Sequence, residues 1–443
     1  MGKKFTFIGA GSLGFAVDLA RDILSYESFR DCEIHLMDIH EGRLGYAKMA
    51  IEKLIAAGKY NAVVHATTDR KKALEGADGV LITILQGGVD VWRHDIEIPK
   101  KYGVDINVGD TRGPSGVFRF LRTAPVMLDI IRDVEVLCPD AVVLNYTNPM
   151  AMLCSYLQRV SKANVTGLCH SVQGTADMLA EWIGAKPEEI TYKCSGINHQ
   201  AFYLEFKWNG KDAYPLLWDK VLNDPVIAAA DPVRNELFRN LGYYITESSG
   251  HNSEYVPWFR KRPDLIEKYC THGTNWNPGA YAYILNEYLD AEATWEARFK
   301  EMLDKDEVDL NRGEEYASNI FNALFGDGTP FMFNGNQLNN GIISNLPASA
   351  CVETPVLASP NGLQHMHAGP LPDNLAILVN LSARIEEMAV NAAIEGDPWK
   401  VFQANLFDPL TSAVCSMSEI REMTQVMLDK NAEFLGYFGS LKI

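Results

Sequence analysis

A glycine-rich turn close to the N-terminus constrains the fold of this chain more than any other feature. The segment Gly9–Gly14 reads GAGSLG, which is the pattern GxGxxG. A short apolar segment, Lys4–Gly9, leads into it, and helical periodicity extends from Gly11 to Ser25. Glycines at this spacing allow a tight strand-to-helix turn and a close approach of the backbone to a pyrophosphate. The pattern predicts a Rossmann-like βαβ unit that starts at the first strand.

Strand and helix signals alternate through the first part of the chain. Short apolar segments that are typical of buried strands are separated by amphipathic segments with helical periodicity. This alternation predicts an α/β fold with a doubly wound parallel sheet and helices on both faces. The predicted strands are 4–9, 33–38, 63–66, 79–84, 141–145 and 164–169, and the predicted helices are 11–25, 43–57, 70–74, 124–137 and 173–183.

The alternation ends near residue 195. Ala201–Trp208 followed by Asn209-Gly210 is a hairpin signature. Long helical patterns follow at 282–303, 314–325 and 375–394. We therefore predict two domains: residues 1–195 form a dinucleotide-binding domain, and residues 196–443 form a mixed α+β, largely helical domain for substrate binding and oligomerisation.

An acidic residue, Asp38, ends the second predicted strand. A carboxylate at this position hydrogen-bonds the ribose hydroxyls and repels a 2′-phosphate, which favours NAD over NADP. The helix N-terminus after the glycine-rich turn supplies N–H donors for the phosphates. We therefore predict an NAD site at Gly9, Gly11, Ser12, Gly14 and Asp38. A glycine-rich turn that binds nothing is the alternative.

Charge and composition exclude several classes of protein. The chain has 40 basic and 57 acidic residues, a net charge of −17, and no basic run of the kind that binds nucleic acids. No apolar run reaches the roughly 18 residues that a membrane span needs. The 8 cysteines are spread along the chain without a CxxC pair, as in a cytosolic enzyme with reduced thiols. We predict a cytoplasmic protein without a nucleic-acid or membrane partner.

A cysteine and a histidine lie in short motifs that follow predicted strands. Cys169 closes the sixth predicted strand and is followed by His170, and His199 lies in the later segment Gly196–Gln200. Ligands bind at the carboxyl edge of such a sheet, so the two motifs could converge there. Taken alone, the pair is poor evidence for a metal site, because a buried core thiol and a hydrogen-bonded histidine are the more common interpretation.

Several distinctive motifs are distributed along the chain in a fixed order. They are Gly9–Gly14, Gly109–Gly116, Asn145–Ala151, Cys169–Val172, Gly196–His199, Glu254–Trp258, Asn345–Pro347 and Val352–Glu353. Together they resemble family 4 of the glycoside hydrolases, the NAD- and manganese-dependent glycosidases, from the first strand to about residue 370. The Cys-His-Ser-Val form of the motif at Cys169 is most similar to the α-galactosidase (melibiase) branch.

The resemblance implies an N-terminal sheet like that of lactate and malate dehydrogenases, and an unusual reaction. NAD would accept a hydride from carbon 3 of the sugar, and the resulting ketone would acidify the proton on carbon 2. A tyrosine would remove that proton, the aglycone would leave by elimination, water would add, and the hydride would return. A divalent metal would hold the sugar hydroxyls and stabilise the enediolate. This differs from the two-carboxylate scheme, to which NAD-dependent members of this family are a known exception.

The resemblance also implies roles for individual residues. Cys169 and His199 match the metal ligands, and Tyr255 matches the base that removes the proton. Asp110 matches the acidic residue that increases the basicity of this tyrosine, and Asn148 matches a contact to the substrate hydroxyls. A tyrosine with the ordinary pKa near 10 is a poor base at neutral pH, so a nearby cation must lower that pKa. Asn145, at the end of its strand, is predicted as a further cofactor-binding residue.

One position departs from the family pattern. Relatives that act on 6-phosphoglycosides usually carry Asp after the metal-binding Cys, as the acid that protonates the leaving oxygen. Here His170 takes that place, and because histidine titrates near neutrality we assign the acid role to it. Thiolate and imidazole favour zinc or iron over manganese by softness, so Mn²⁺ follows from the resemblance and another divalent metal stays open.

The motif at Cys169 predicts an unphosphorylated α-galactoside as substrate. Arg93 lies where phosphate-specific relatives place a substrate-binding arginine, and its guanidinium could pair with the carboxylate of an α-galacturonide or α-glucuronide. Val108, before Gly109, also resembles the uronidase branches. We therefore predict an α-galactosidase with an α-hexuronidase as the alternative, and we predict Asn148 and Arg93 as substrate-binding residues.

Two further functions fit parts of the sequence. A 2-hydroxyacid dehydrogenase shares the fold and could use His199 as its acid and base. That chemistry needs an arginine to hold the substrate carboxylate, and the segment 169–180 contains Asp177 but no arginine, which argues against it. A non-catalytic NAD sensor is the other possibility. Members of the resembling family generally associate, so we expect a homodimer or homotetramer.

Overall fold

The computed structural model describes residues 2–12, 14–272 and 277–443. Parallel strands form the first half of its sheet and confirm the predicted alternation. They are β1 (Lys4–Ile8), β2 (Glu33–Met37), β3 (Val63–Thr67), β4 (Gly79–Ile82), β5 (Val142–Asn145) and β6 (Asn164–Gly167). They lie in the order β3-β2-β1-β4-β5-β6, and all neighbouring pairs are parallel. This is the strand order of a Rossmann-like sheet.

Helices connect these strands. They are α1 (Phe15–Leu24), α2 (Glu41–Gly58), α3 (Arg70–Leu74), α4 (Gly88–Lys101), α5 (Gly113–Leu137), α6 (Met150–Val160) and α7 (Ser171–Ile183). The predicted helices correspond to α1, α2, α3, α5 and α7, while α4 and α6 were not predicted. Helix α5 begins at Gly113 instead of Ala124, because Pro114 stands in its first turn, where a missing N–H costs little. Leu13, in the predicted start of α1, lies outside the described residues.

The second half of the sheet is mainly antiparallel. Its strands are β7 (Ile190–Ile197), β8 (Gln200–Trp208), β9 (Lys211–Asp212), β10 (Phe331–Leu338), β11 (Cys351–Ser359) and β12 (Gly362–His365). Strand β10 pairs with β6, and the sheet continues as β6-β10-β11-β7-β8-β9, with β12 paired to β11. The predicted hairpin is confirmed, because Asn209 and Gly210 connect the paired residues Trp208 and Lys211.

The remaining helices follow β9. They are α8 (Tyr214–Asn223), α9 (Pro225–Ala230), α10 (Pro232–Leu241), α11 (Ser249–Glu254), α12 (Pro263–Tyr269), α13 (Tyr283–Asp304), α14 (Ala317–Phe325), α15 (Asp373–Glu395), α16 (Pro398–Phe407), α17 (Pro409–Val414) and α18 (Met417–Lys430). The three long predicted helices correspond to α13, α14 and α15, so the largely helical second part is confirmed. No helix within the described ranges is long and apolar enough to cross a membrane.

Two large apolar clusters cover the two faces of the parallel strands. On one face Phe5 of β1 packs against α1, α2 and Phe321 of α14, with the two phenyl rings 4.9 Å apart. On the other face Val80 of β4 packs against α5, α6 and Val390 of α15. Helices from both predicted domains therefore complete one core. The division at residue 195 stays a prediction; it falls within β7, and a single sheet runs across it.

The carboxyl edge of the sheet gathers the chain segments that carry the predicted motifs. Strand β1 leads into the glycine-rich turn, β4 is followed by α4, and β6 is followed by Cys169. His199 lies in the two-residue turn between β7 and β8, where Ile197 pairs with Gln200. The fold thus brings motifs that are far apart in sequence to one edge, as parallel sheets do.

Candidate active site

The glycine-rich turn has the backbone geometry that a dinucleotide requires. Gly9 has φ +89°, and a Cβ on it would lie 2.2 Å from the carbonyl oxygen of Thr83. Gly14, directly before α1, has φ +77°. Neither conformation suits a residue with a side chain. The turn can therefore present its backbone and the start of α1 to a phosphate group without steric hindrance.

Asp38 fixes this turn. Its Oδ2 accepts a hydrogen bond from Gly11 N at 2.8 Å, and its Oδ1 accepts one from His40 N at 2.8 Å. Ser12 Oγ is buried and has no hydrogen-bond partner within the described residues. An unpaired buried hydroxyl is costly unless a ligand or water completes it. The turn therefore fits a phosphate-bearing cofactor, and Asp38 lies beside it as the sequence predicts.

Asn145 shapes a loop next to this turn. The side chain is fully buried at the end of β5. Its Oδ1 accepts a hydrogen bond from Thr147 N at 2.9 Å, and its Nδ2 donates to Thr147 O at 3.0 Å. These bonds occupy the amide within its own loop. Its predicted contact with the cofactor stays a prediction, and the structure adds a role in holding the loop that carries Asn148.

The two predicted metal ligands lie together, and a carboxylate that the sequence analysis missed joins them. His199 Nε2 is 3.2 Å from Cys169 Sγ and 3.3 Å from Glu247 Oε2. One ligand atom from each of the three residues lies within 4.8 Å of the other two, and all three residues are buried. A thiolate, an imidazole and a carboxylate at this spacing can bind one divalent cation.

Strained backbone holds two of these ligands in place. His199 has φ 62° and Glu247 has φ 68°, values that residues with side chains seldom adopt and that cluster at functional sites. Glu247 Oε1 accepts a hydrogen bond from Ser248 N at 3.0 Å and lies 3.3 Å from His251 Nδ1. In the sequence, only the spacing of Glu247 and His251 just before the motif at Tyr255 could have indicated this contribution.

A threonine determines which nitrogen of His199 faces the cluster. Thr111 Oγ1 donates a hydrogen bond to Asp110 Oδ1 at 2.7 Å and lies 2.9 Å from His199 Nδ1. Because the hydroxyl proton goes to the carboxylate, this network assigns the imidazole proton to Nδ1. Nε2 then points an unprotonated lone pair towards Cys169 and Glu247. Hydrogen bonds of this kind orient metal-binding histidines.

The protonation preferences of the cluster also fit a cation site. Burial lowers the pKa of His199 to about 4, so the imidazole stays neutral, the form that binds metals. Burial, followed by the charges of Glu353 and Glu247, raises the pKa of Cys169 well above its usual range. A cation bound here would favour the thiolate, because metal binding displaces the thiol proton.

Tyr255 lies beside this cluster. Its hydroxyl is 3.4 Å from His199 Nδ1, and the residue is 1% exposed. The guanidinium of Arg112 lies 4.7 Å from the centre of the phenol ring. Burial, then the negative charges of Asp110 and Glu254, raise the pKa of Tyr255, and Arg112 only partly opposes them. The phenol is therefore a weak acid unless further positive charge is present nearby.

Asp110 and Asn148 are also brought together. Asn148 Nδ2 donates a hydrogen bond to Asp110 Oδ2 at 2.9 Å. Burial raises the pKa of Asp110, but electrostatic interactions with His251 and Arg119 outweigh this effect, so the pKa of the carboxyl lies below its ordinary value. One carboxylate oxygen of Asp110 and one ring nitrogen from each of His199 and His251 lie within 4.8 Å of one another. Both residues therefore border the candidate metal centre.

A buried carboxylate holds the loop that carries Asp110. Glu254 accepts backbone hydrogen bonds from Asn107 at 2.8 Å, Val108 at 3.0 Å and Gly109 at 2.9 Å. Glu254 directly precedes Tyr255, so one short segment fixes both the loop and the phenol. Glu254 belongs to the motif Glu254–Trp258, but the sequence of that motif does not indicate this role.

The other two predicted site residues, His170 and Arg93, are more exposed than the buried residues of the cluster. The half-exposed side chain of His170 pairs with Glu315 and lies at the start of α7, next to Cys169. Burial lowers the pKa of His170, but Glu315 and Glu247 raise it above the ordinary value overall. Arg93 lies on α4 with 41% of its side chain exposed, and its ion pair within the described residues is with Asp90 at 3.8 Å. The described contacts do not bring Arg93 into the cluster.

A dinucleotide-type turn and a cysteine–histidine–carboxylate cluster at one sheet edge define a cofactor- and metal-dependent enzyme of the Rossmann class. Residues 4–185 match the sequence family described as "Family 4 glycosyl hydrolase", and residues 194–411 match its C-terminal domain. The chain therefore belongs to family 4 of the glycosyl hydrolases and is a glycoside hydrolase.

Similar proteins of known description cover the whole chain. An α-galactosidase of Rhizobium meliloti is 38% identical, covering 98% of this chain and 90% of the relative. An α-galactosidase of Bacillus subtilis is 37% identical, covering 98% of this chain and 99% of the relative. An α-galacturonidase of Thermoanaerobacterium saccharolyticum is 30% identical, covering 97% of this chain and 96% of the relative. A 6-phospho-α-glucosidase from gut microorganisms, solved with NAD and Mn²⁺, has a TM-score of 0.83 at 19% identity, with 100% of both chains covered, and shows the fold.

Proposed function

We propose that this chain is an α-galactosidase that uses NAD and a divalent cation, with Mn²⁺ as the first candidate. One observation carries the proposal: His199 contacts Cys169 and Glu247 through Nε2, and it contacts Tyr255 through Nδ1. The same imidazole therefore joins a candidate metal centre to a candidate base. The two α-galactosidases are more similar to the chain than the α-galacturonidase is, which supports the galactoside as substrate.

The glycine-rich turn is the part of the chain that would hold NAD. Gly9, Gly11 and Gly14 give the phosphates access to the backbone, and Asp38 suits the ribose. Ser12 Oγ is a buried hydroxyl without a hydrogen-bond partner among the described residues. Bound NAD would supply the hydride acceptor for carbon 3 of the sugar. The turn lies at the same sheet edge as the metal cluster, so the two sites can serve one sugar.

Cys169, His199 and Glu247 are the residues that would hold the cation. Their charges suit it, because a thiolate and a carboxylate together balance a divalent ion and the imidazole is neutral. The cation would act as a Lewis acid towards the sugar hydroxyls. The carboxylate also adds a hard oxygen ligand, which makes Mn²⁺ a better match than the thiolate and imidazole alone would.

Tyr255 is the residue to which we assign removal of the proton from carbon 2. Tyr255 is only 1% exposed, and its hydroxyl lies 3.4 Å from His199 Nδ1 at the candidate metal centre. The negative charge of Asp110 increases the basicity of the phenolate, and a cation held by Cys169, His199 and Glu247 would supply the positive charge that favours its formation. This arrangement fits a base that functions only when the cation is bound.

His170 is the residue to which we assign protonation of the leaving oxygen. It directly follows Cys169, and half of its side chain is exposed at the site. Pairing with Glu315 favours the imidazolium, which is the form that can donate a proton. A half-exposed position also leaves room for aglycones of different size.

A comparison of turnover on two nitrophenyl glycosides tests this proposal. In the presence of NAD⁺, Mn²⁺ and a thiol reductant, we expect turnover of nitrophenyl α-galactoside to exceed that of nitrophenyl α-galacturonide. Arg93→Ala should change neither rate by more than about threefold, since exposed ion pairs contribute roughly 0–1 kcal/mol. A preference for the galacturonide that Arg93→Ala removes would establish the hexuronidase instead.

We also propose a reduced intracellular compartment and a homodimer or homotetramer. All 8 cysteines are free thiols, which is typical of the cytoplasm. Apolar side chains are exposed on adjacent helices of the second part of the chain, and burial of these in a symmetric contact would stabilise an oligomer. They are Ile377 and Leu381 of α15 and Trp399 and Phe407 of α16.

A further inference from the structure

Two histidines and a glutamate lie together on the outer strands of the parallel sheet. His35 of β2 is the register partner of His65 of β3, and Glu33 is the first residue of β2. Residues two apart on a strand share a face of the sheet, and register partners on adjacent strands share it as well. Both imidazoles and the carboxylate therefore project from one face. The opposite face, with Ile34 and Val64, belongs to the apolar core.

The ligand atoms of these three residues are close enough to share one cation. Glu33 Oε2 is 3.0 Å from His35 Nε2, and the rings of His35 and His65 are 4.6 Å apart between centres. One ligand atom of each residue lies within 4.8 Å of the other two. Two ligands of a tetrahedral Zn²⁺ are roughly 3.3 Å apart, because each bond is about 2.0–2.1 Å long. The observed spacing is therefore close to that of a metal site.

The cluster is separate from the candidate metal centre. His35 lies in the middle of β2, three residues before Asp38, which fixes the glycine-rich turn. At about 3.3 Å per strand residue, His35 is roughly 10 Å from that turn along the strand. Strand β3 is the outermost strand of the sheet, and the His65 side chain on it is exposed. A cation can therefore reach the cluster from solvent without entering the active site.

The ligand types determine which cation suits the cluster. Imidazole suits Zn²⁺, Cu²⁺ and Ni²⁺, whereas Mn²⁺ is the weakest binder among the divalent ions of its row. Two histidines and one glutamate are also the protein ligands of one class of Zn²⁺ site, in which water takes the fourth position. Lys4, the register partner of Glu33 on β1, opposes a cation, but its Nζ donates to the carbonyl oxygen of Glu75 at 2.6 Å. The cluster therefore favours Zn²⁺ over Mn²⁺.

We propose that Glu33, His35 and His65 bind one Zn²⁺ and thereby link the edge strand β3 to β2. A carboxylate only accepts, so His35 Nε2 donates its proton to Glu33 while no cation is present. The cation takes the place of this proton, which is released to water. An edge strand has one row of unpaired backbone groups, and a link to its neighbour holds it in the sheet. The site is structural, and it does not depend on the proposed function.

Zn²⁺ binding in the Cys169→Ser background tests the inference, because Cys169 would otherwise take part in binding Zn²⁺ at the candidate active site. We expect Cys169→Ser to bind one Zn²⁺ and to melt a few degrees higher at about a hundredfold excess over Kd. Adding His65→Gln should weaken this binding at least about tenfold, since even partners outside a ligand set contribute 10–100-fold. Isothermal titration calorimetry and thermal melts measure both effects.

A second surface histidine provides the matched control. His272 is exposed, and its described hydrogen bond is to the neighbouring Thr271 Oγ1. Adding His272→Gln to Cys169→Ser should leave the Zn²⁺ affinity and the rise in melting temperature unchanged. Mn²⁺ at the same concentration should raise the melting temperature of Cys169→Ser much less than Zn²⁺ does.

Distinct results would overturn the inference. Equal Zn²⁺ affinity with and without His65→Gln would show that the cluster does not bind the cation. A rise in melting temperature that His272→Gln also removes would indicate unspecific binding to surface histidines. Cleavage of nitrophenyl α-galactoside with Mn²⁺ should be the same in His65→Gln and the wild type, and a loss would contradict a separate structural site. A wild type that cleaves no α-galactoside counts against the proposed function and leaves the Zn²⁺ result untouched.

Discussion

Replacing Cys169 by serine is expected to reduce sugar cleavage by roughly a thousandfold, because Lewis-acid stabilisation of transition-state charge is worth several kcal/mol. Serine keeps the size of the side chain and its hydrogen bond to Ser171, but it does not offer a thiolate to the cation. NAD binding should stay within about threefold of wild type, because the described residues of the glycine-rich turn make no hydrogen bond to this side chain. Turnover with and without added Mn²⁺, together with NAD titration, measures both effects.

Metal binding itself provides the second readout for this prediction. Titration followed by the electron paramagnetic resonance signal of free Mn²⁺ should show one tight binding site in the wild type. We expect the Mn²⁺ affinity to be much lower in Cys169→Ser and about 10–100-fold lower in Glu247→Gln. Cys415→Ser is the matched control, since this partly exposed thiol donates to Tyr102 O and makes none of the described contacts to His199 or Glu247. Unchanged Mn²⁺ affinity in Cys169→Ser with full turnover would show that the cation lies elsewhere.

Replacing Tyr255 by phenylalanine is expected to lower turnover by at least about a hundredfold, the lower range for loss of a general base. The ring can still pack against Arg112, so the change removes little more than the hydroxyl next to His199. The loss should appear in kcat, while the affinities for NAD and Mn²⁺ stay close to those of the wild type. Steady-state kinetics and the two binding titrations measure these quantities.

A tyrosine outside the site is the control for this substitution. Tyr269→Phe changes a ring that packs against Phe259 at 5.2 Å and makes none of the described contacts to His199, and it should leave turnover unchanged. With substrate deuterated at carbon 2, the wild type should show a primary isotope effect if deprotonation limits the rate. Tyr255→Phe with wild-type kcat would mean that another group removes the proton.

Local sequence patterns predicted the parallel half of the fold well. The strand-to-helix turn at Gly9–Gly14 and the apolar strands before it follow from short-range rules on glycine and on buried β segments. The position of each residue directly after a strand also indicated that Cys169 and His199 could converge at one edge, whereas their role as metal ligands came from the family resemblance. The structure brings these two residues within hydrogen-bonding distance, as the predicted metal site requires.

Contacts that depend on the antiparallel half could not be predicted in the same way. Strand β10 joins β6 across a long stretch of chain, and no local pattern specifies that pairing. Glu247 joins Cys169 and His199 only because the chain folds back after β8 with a positive φ at Glu247. The first turns of α5 were also missed, because their glycines and prolines obscure the helical periodicity. Contacts of this kind become visible only in the tertiary structure.

The fate of the proton on carbon 2 tests the central claim most directly. A base-catalysed elimination exchanges that proton, whereas a direct displacement at carbon 1 leaves it in place. The wild-type enzyme with NAD⁺, Mn²⁺ and an α-galactoside in deuterium oxide should release galactose that carries deuterium at carbon 2, observable by NMR under single-turnover conditions. Galactose without deuterium at carbon 2, released at the full rate, would contradict the proposed mechanism and the role of Tyr255 in it.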